Sequence, residues 1–124
     1  MQSVLIADDK EEVRQLLQAA FKNLDYRLLS SKDGLEALET ARQEIPSLAV
    51  LDVMMPGMDG FEDCRLLKED PVTTGIKVVM LTARSQDSDR ARAAECGADI
   101  YITKPFSPAA VRKAITGILK TTDS

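Results

Sequence analysis

LAVLDVMMPGMDG, the stretch from Leu48 to Gly60, sets the architecture that the rest of the chain follows. Aliphatic residues run up to Asp52, which is the pattern of a parallel strand buried on both faces. In open parallel sheets, ligands bind in the crevice beyond the carboxyl ends of the strands. Asp52 is therefore predicted to lie where chemistry takes place. The alternative is that Asp52 caps the next helix, but Asp59 stands directly before that helix and is the better N-cap.

Length and composition predict one globular domain. A chain of 124 residues is near the commonest domain size, and 44% hydrophobic with 29% charged residues suits a single core. The sequence has no apolar run of membrane length and no signal-peptide pattern at its start, so we expect a cytoplasmic protein without membrane contact. Cys64 and Cys96 lack CxxC spacing and are predicted to be packed thiols rather than a disulfide or a metal pair.

Charge and residue content exclude several classes of function. The net charge of -4 argues against sequence-independent binding of nucleic acid, which requires a basic face. Because the chain contains no histidine, His-based metal sites, His acid-base catalysis and a phosphohistidine step within the chain are excluded. Any phosphohistidine, and any output on DNA, therefore has to come from another domain or a partner.

Strand and helix patterns alternate five times along the chain. Apolar runs predict strands at Val4–Ala7, Tyr26–Ser30, Leu48–Asp52, Lys77–Thr82 and Ile100–Lys104. Helical spacing predicts a helix after each strand, of which Gln86–Glu95 has the weakest pattern and Val111–Leu119 the clearest. Helix-capping signals are predicted at Asp33, Asp59, Gly97 and Ser107. The alternation predicts a doubly wound α/β fold, a parallel sheet with helices on both faces.

Five polar residues stand at the carboxyl ends of the predicted strands: Asp8, Asp9, Asp52, Thr82 and Lys104. Because parallel strands point the same way, we expect these side chains on one rim of the sheet. Each alone has an ordinary interpretation: Asp9 with Glu12 resembles a capping box, Thr82 is a common strand residue, and Lys104 suits a solvated strand end. Their coincidence favours a functional rim.

The carboxylates of this rim require a cation, because each pair repels by about 4 kcal/mol at ~4 Å and an effective dielectric of about 20. Oxygen ligands without His or Cys suit a hard divalent ion, and few carboxylates suit Mg²⁺ better than Ca²⁺. Magnesium indicates phosphoryl transfer, in which a protein mainly positions groups and neutralises charge. The Lys104 ammonium and the Thr82 hydroxyl suit that task, which leaves Asp52 as the nucleophile.

The chain resembles the receiver domain of bacterial response regulators over essentially its whole length. The resemblance rests on four motifs: ADD at 7–9, LDVMMPGMDG at 51–60, LTA at 81–83 and YITKPF at 101–106. It implies a flavodoxin-like, five-stranded sheet of order 2-1-3-4-5 flanked by five helices. It also implies that residues 1–124 form one receiver domain, without an output domain in this chain.

The resemblance assigns the metal and acceptor residues by position. Asp52 matches the phosphoacceptor. Asp9, Asp52 and the backbone carbonyl of Met54 match direct Mg²⁺ ligands, and Asp8 matches the acid that holds a water of the metal. Met54 and Arg84 match the variable positions that tune the attack of water on the acyl phosphate.

The resemblance also assigns the residues that sense the phosphoryl group. Thr82 and Lys104 match its contacts, and Tyr101 matches the aromatic switch, whose ring turns inward as Thr82 moves. The bond between Lys104 and Pro105 matches a peptide that is typically cis in the family.

The implied function is that of a two-component receiver rather than an enzyme with a separate substrate. A sensor histidine kinase or histidine phosphotransfer protein is expected to phosphorylate Asp52, and a downstream effector to bind the switched surface. The domain is expected to catalyse its own phosphorylation and dephosphorylation, to be a monomer or weak dimer, and to make no direct contact with nucleic acid.

Three other classes of protein share parts of this pattern. A flavodoxin needs a Ser/Thr/Gly phosphate loop after the first strand, where Asp8 and Asp9 repel phosphate. A haloacid-dehalogenase-type phosphatase needs a second aspartate two residues after the nucleophile, where this chain has Met54. The more serious alternative is a receiver-shaped docking module without catalysis.

Overall fold

The computed structural model describes residues 2–22, 24–55, 58–82, 87–104 and 106–123. Strands and helices alternate along these residues, as the sequence pattern predicts. The strands are β1 (Gln2–Ala7), β2 (Tyr26–Ser31), β3 (Leu48–Asp52), β4 (Lys77–Thr82) and β5 (Ile100–Thr103). The helices are α1 (Glu11–Ala20), α2 (Gly34–Glu44), α3 (Gly60–Glu69), α4 (Asp87–Cys96) and α5 (Pro108–Asp123).

The strands form one parallel sheet of order β2-β1-β3-β4-β5, which confirms the predicted fold and strand order. Every residue of β3 is buried, as its aliphatic sequence predicts for a central strand. Ala7 pairs with Leu51, and Asp52 pairs with Leu81. This register brings the carboxyl ends of β1, β3 and β4 to the same edge of the sheet.

Alternation along the strands divides the core into two layers. On one face, alternate strand residues such as Ile6, Val50 and Leu81 pack with residues of α1 and α5. On the other face, Leu5, Leu51 and Met80 pack with residues of α2 and α3 and with Cys96 of α4. The sheet is therefore covered on both sides, and its buried strands form a rigid frame for the rim.

The predicted capping residues are confirmed. The side chains of Asp33, Asp59 and Ser107 accept hydrogen bonds from the backbone N–H three residues later, at 2.8, 2.9 and 3.1 Å. Gly97 follows the last residue of α4 with a φ of 90°, a left-handed conformation that glycine adopts without strain. Even the weakly patterned fourth helix therefore has a defined end.

Element boundaries differ from the prediction at the ends. β1 begins two residues earlier, at Gln2, and β2 extends to Ser31. Lys104 lies one residue beyond β5 rather than ending it, although its N–H still donates to the Thr82 carbonyl at 2.6 Å. The proline that follows Lys104 has no N–H with which to continue the ladder.

The capping box considered for Asp9 and Glu12 does not form. The N-cap of α1 is Lys10, without a capping hydrogen bond from its side chain. Instead, Asp8 Oδ1 accepts from the Lys10 backbone N–H at 2.9 Å. Among the helices that the structure describes, none is long and apolar enough to cross a membrane.

Candidate functional site

The carboxylates predicted to meet at the rim lie together. Asp8, Asp9 and Asp52 each offer a carboxylate oxygen within 4.8 Å of the others. Asp8 and Asp9 directly follow β1, and Asp52 is the last residue of β3, so pairing of these strands assembles the group. Asp8 and Asp52 are buried, whereas Asp9 is exposed. The cluster therefore has a buried floor and one ligand that faces solvent.

Lys104 reaches this cluster from the end of β5. Its Nζ lies 3.1 Å from Asp52 Oδ1 and 3.3 Å from Asp8 Oδ2. Only 17% of the Lys104 side chain is exposed, so this bridge is shielded from most solvent screening. One ammonium thus holds two buried carboxylates that belong to different strands.

The pKa values of Asp52 and Lys104 reflect this arrangement. Burial is the main cause that raises the pKa of Asp52, and the charge of Asp8 raises it further. Lys104 and a hydrogen bond from the Met54 backbone N–H oppose that rise without cancelling it. Burial alone would lower the pKa of Lys104, but Asp52 and Asp8 raise it overall. Lys104 is therefore held as a cation, while Asp52 carries an incompletely compensated negative charge.

The carboxylate oxygens of the cluster differ in their hydrogen bonds. Asp8 accepts from the Lys10 N–H with one carboxylate oxygen and from Lys104 with the other. Asp52 accepts from Lys104 with Oδ1, whereas its Oδ2 is buried without a hydrogen-bond partner among the described residues. A buried, unpartnered carboxylate oxygen beside two more carboxylates fits a ligand position for a hard cation.

Backbone hydrogen bonds tie the end of β3 to α3 and to β4. Gly60 N–H donates to the Val53 carbonyl at 3.0 Å, and Val53 N–H donates to the Leu81 carbonyl at 2.9 Å. A Cβ at Gly60 would overlap the Asp52 carbonyl oxygen, so only glycine fits there. Beside the turn, an open recess of about 440 Å³ is lined by Asp9, Lys10, Val53, Met54, Met55 and Asp59. Asp9 of the carboxylate cluster is thus one wall of this recess.

Thr82 and Tyr101 lie on the same face of the sheet. Thr82 is the buried last residue of β4, and alternation places its side chain on the face of Met80, toward the layer of α2, α3 and α4. Tyr101 pairs with Met80 in register and packs, half-buried, against the same core layer. The two residues predicted to act together thus belong to adjacent strands and one layer.

Sequence reasoning missed two features near the rim. Arg14 Nη1 donates to the Asp8 carbonyl at 2.7 Å and fixes the turn between β1 and α1. Asp63 is fully buried on α3, and both its carboxylate oxygens lack a partner among the described residues. The signal for Asp63 was present, since it stands at helical spacing with Gly60, Cys64 and Leu67 on the buried face of α3.

Two earlier predictions fall on residues that the structure does not describe. The proposed cis peptide involves Pro105, and Arg84 follows β4 in the segment 83–86. Both predictions stay as stated from the sequence.

Comparison with known proteins identifies the family. The family model described as "Response regulator receiver domain" matches residues 4–116. The chain belongs to the response regulator receiver domains. Its function is therefore that of a receiver in two-component signalling, and these comparisons give no support to the non-catalytic docking module.

Individual relatives agree with this assignment. The chain is 40% identical over 117 residues to the alkaline phosphatase synthesis transcriptional regulatory protein PhoP of Bacillus subtilis, covering 94% of this chain and 48% of that protein. It is 38% identical over 122 residues to the probable transcriptional regulator ycf27 of Porphyridium aerugineum, covering 98% of this chain and 50% of that protein. This receiver domain thus spans about half the length of these curated relatives.

A solved structure supports the fold independently. A putative response regulator from Chloroflexus aurantiacus superposes with a TM-score of 0.89 at 30% identity, covering 96% of this chain and 98% of that one. The parallel five-stranded sheet described above is therefore the receiver fold.

Proposed function

We propose that Asp52 accepts a phosphoryl group from a phosphohistidine of a sensor kinase or histidine phosphotransfer protein. The unpartnered, buried Asp52 Oδ2 carries this proposal, because it leaves a nucleophilic oxygen unoccupied by the protein's own donors. Attack forms a bond between Asp52 oxygen and phosphorus and breaks the bond between phosphorus and the histidine nitrogen of the partner. The histidine has to come from the partner, because this chain contains none.

The acidic cluster fits Mg²⁺ as the resident ion. We expect Asp9, Asp52 and the backbone carbonyl of Met54 to be direct ligands, and Asp8 to hold a water of the ion. Asp8 suits the indirect role because both its carboxylate oxygens already accept hydrogen bonds within the protein. When bound, Mg²⁺ neutralises charge on the phosphoryl oxygens and on the carboxylates around them.

Lys104 and Thr82 are proposed to contact the phosphoryl group. Lys104 already carries a shielded ammonium 3.1 Å from the acceptor carboxylate, close enough to bind a phosphoryl oxygen after transfer. Thr82 is the last residue of β4, the strand paired with β3, and its hydroxyl is expected to donate to a phosphoryl oxygen from that strand. Together they offset charge that develops on the transferred group.

We propose that the phosphoryl group switches a protein-binding surface through Thr82 and Tyr101. Both face the layer that contains α4, so a displacement of Thr82 alters the space available to the Tyr101 ring. A downstream effector protein or domain is the expected reader of this surface, without direct contact between this domain and nucleic acid. Four further properties stay predictions. They are a single receiver domain over residues 1–124, a monomeric or weakly dimeric state, a cytoplasmic location and self-catalysed dephosphorylation.

Incubation with acetyl phosphate and Mg²⁺, followed by intact-mass measurement, tests the acceptor. We expect one added phosphoryl group, lost in Asp52→Asn and when EDTA replaces Mg²⁺. Asp63→Asn is the matched control, since it also removes a buried carboxylate but lies outside the cluster, and it should retain phosphoryl uptake. Uptake that persists in Asp52→Asn would contradict the assignment of the acceptor. Absence of uptake in the parent protein would favour a docking function.

A further inference from the structure

The two cysteines meet where α3 packs on α4. Cys64 Sγ donates to the backbone carbonyl of Cys96 at 3.4 Å, and both residues belong to the same buried core layer. Both are free thiols, and both are buried, with relative exposures of 0% for Cys64 and 7% for Cys96. The sequence predicts packed thiols without a CxxC motif, and the fold places the Cys64 sulfur against the backbone of Cys96.

The two thiols differ in acidity. The hydrogen bond from Cys64 is the main cause that lowers the pKa of Cys96 to about 7, against burial, with further help from the Ala98 backbone N–H and Arg92. The same hydrogen bond, together with burial, raises the pKa of Cys64 well above its usual range. Cys96 is thus the more acidic thiol of the pair.

Cys96 is also the thiol that a small molecule can reach. It lines an open recess of about 290 Å³ between α3 and α4, together with residues that include Phe61, Arg92 and Glu95. The guanidinium of Arg92 lies over the Phe61 ring, 4.3 Å from its centroid, at the wall of this recess. A cation beside a cysteine that lines a recess is a setting that favours the reaction of a thiolate with peroxide.

We propose that Cys64 and Cys96 form a redox-active pair that hydrogen peroxide oxidises to an intramolecular disulfide, joining α3 to α4. The Cys96 thiolate attacks one peroxide oxygen, the oxygen–oxygen bond breaks, and the departing hydroxide takes a proton to become water. The Cys64 thiol then attacks the sulfur of the resulting sulfenic acid, and the thiol proton leaves with the hydroxyl group as a second water. Two thiols and one peroxide thus yield one disulfide and two waters.

This disulfide would fix the helix that follows the acceptor loop to the helix that precedes β5. Disulfides in reducing compartments are usually transient and regulatory, which suits a pair that is reduced at rest. The proposal does not depend on phosphoryl transfer at Asp52, because the pair lies outside the carboxylate cluster.

To test this proposal, the protein is treated at low concentration with a limiting amount of hydrogen peroxide, and the thiols that remain are alkylated. The intact mass and a peptide map then show which thiols have reacted. We expect a monomeric chain that has lost two hydrogen atoms, carries one Cys64–Cys96 link, and is restored by dithiothreitol. The reaction rate should rise as pH passes through about 7, where the Cys96 thiol ionises. Thiols that stay reduced, conversion to sulfinic acid without a link, or links between chains only would each overturn the proposal.

Two serine variants assign the roles within the pair. Cys64→Ser should still be oxidised at position 96, ending as a sulfenic or higher acid without a disulfide. Cys96→Ser should leave Cys64 unmodified, because that thiol is fully buried and protonated. Oxidation of Cys64 in folded Cys96→Ser at the parent rate would overturn the assigned order. If either variant fails to fold, the peptide map of the parent protein decides alone.

Discussion

Asp63 is a buried acid outside the rim. Its carboxyl group lies at the start of α2, where a Cβ on Gly34 would be 3.0 Å from Oδ2. The charged groups that act on it are all acidic, namely Asp59 and Glu62 on its own helix and Asp33 at the N-cap of α2. Burial, followed by these three charges, raises the pKa of Asp63 to about 7. The folded protein therefore binds a proton there that the unfolded chain releases.

Asp63→Asn tests this buried acid through the pH dependence of stability. Because the pKa is higher in the folded state than in the unfolded state, ionisation costs stability as pH rises from about 4 to 7. Asparagine cannot ionise, so its stability relative to the parent should increase over that range by up to about 4 kcal/mol, for a shift of about three pKa units. Denaturant unfolding at several pH values measures the difference.

An exposed residue supplies the control for the Asp63 experiment. Asp25→Asn also removes one aspartate, but from the surface, so it reports the effect of net charge alone. If the difference in unfolding free energy between the parent and Asp63→Asn stays constant between pH 4 and 8, the pKa of Asp63 is not raised in the folded protein. The argument from burial would then be wrong.

Helix α2 ends in a conformation that its sequence does not favour. Its C-cap is Ile45, with φ 45° and ψ 65°, and the Ile45 N–H donates to the Ala41 carbonyl at 2.9 Å. A left-handed conformation costs a residue with a Cβ about 1 to 2 kcal/mol, and β-branching makes it less favourable. The side chain is 52% exposed, so its packing returns little of that cost.

Replacement of Ile45 by glycine and by alanine should separate strain from packing. Ile45→Gly relieves the strain, whereas Ile45→Ala keeps a Cβ, so the glycine variant should be more stable by about 1 kcal/mol. Thermal melts of both variants measure this. The matched control is Leu35 on the same helix, 58% exposed, where alanine should be more stable than glycine. If the glycine and alanine variants have the same order of stability at positions 45 and 35, the argument from strain at Ile45 is wrong.

The carboxylate cluster is a property of the whole molecule. Asp8 and Asp9 follow β1, Asp52 ends β3 and Lys104 follows β5, so their charges meet only in the folded chain. Without metal, the repulsion among the carboxylates opposes folding, and Lys104 offsets part of it. A bound ion reverses this balance, since it stabilises only the state that presents the assembled ligands.

Asp52→Asn should therefore stabilise the metal-free protein and lose that advantage in Mg²⁺. The expected gain in EDTA is about 1 to 3 kcal/mol, less than the full repulsion of about 4 kcal/mol per pair at 4 Å, because Lys104 compensates. In saturating Mg²⁺ the gain should shrink or reverse, because the variant binds the ion more weakly. Thermal melts in both buffers measure the change.

Asp63→Asn is again the control, since its effect should be the same in EDTA and in Mg²⁺. A metal-free Asp52→Asn that melts below the parent would show that Asp52 is chiefly a structural hydrogen-bond partner. The argument from charge crowding would then be wrong.

The sequence by itself determined the alternation of strands and helices, the capping residues and the set of polar residues at the rim. These features follow from local periodicity and from the common direction of parallel strands, which bring Asp8, Asp52 and Thr82 to one edge. The strand order came from resemblance to receiver domains, because periodicity does not specify which strands are neighbours.

Only the tertiary structure decided which side chains share an environment. It placed Lys104 between Asp8 and Asp52, brought the Cys64 sulfur within 3.4 Å of the Cys96 carbonyl oxygen, and buried Asp63 among other acids. It also forced Ile45 into a left-handed conformation. Each result depends on which elements lie against one another in the folded chain. Only the burial of Asp63 has a local signal, its helical spacing with the buried residues of α3, and its acidic surroundings have none.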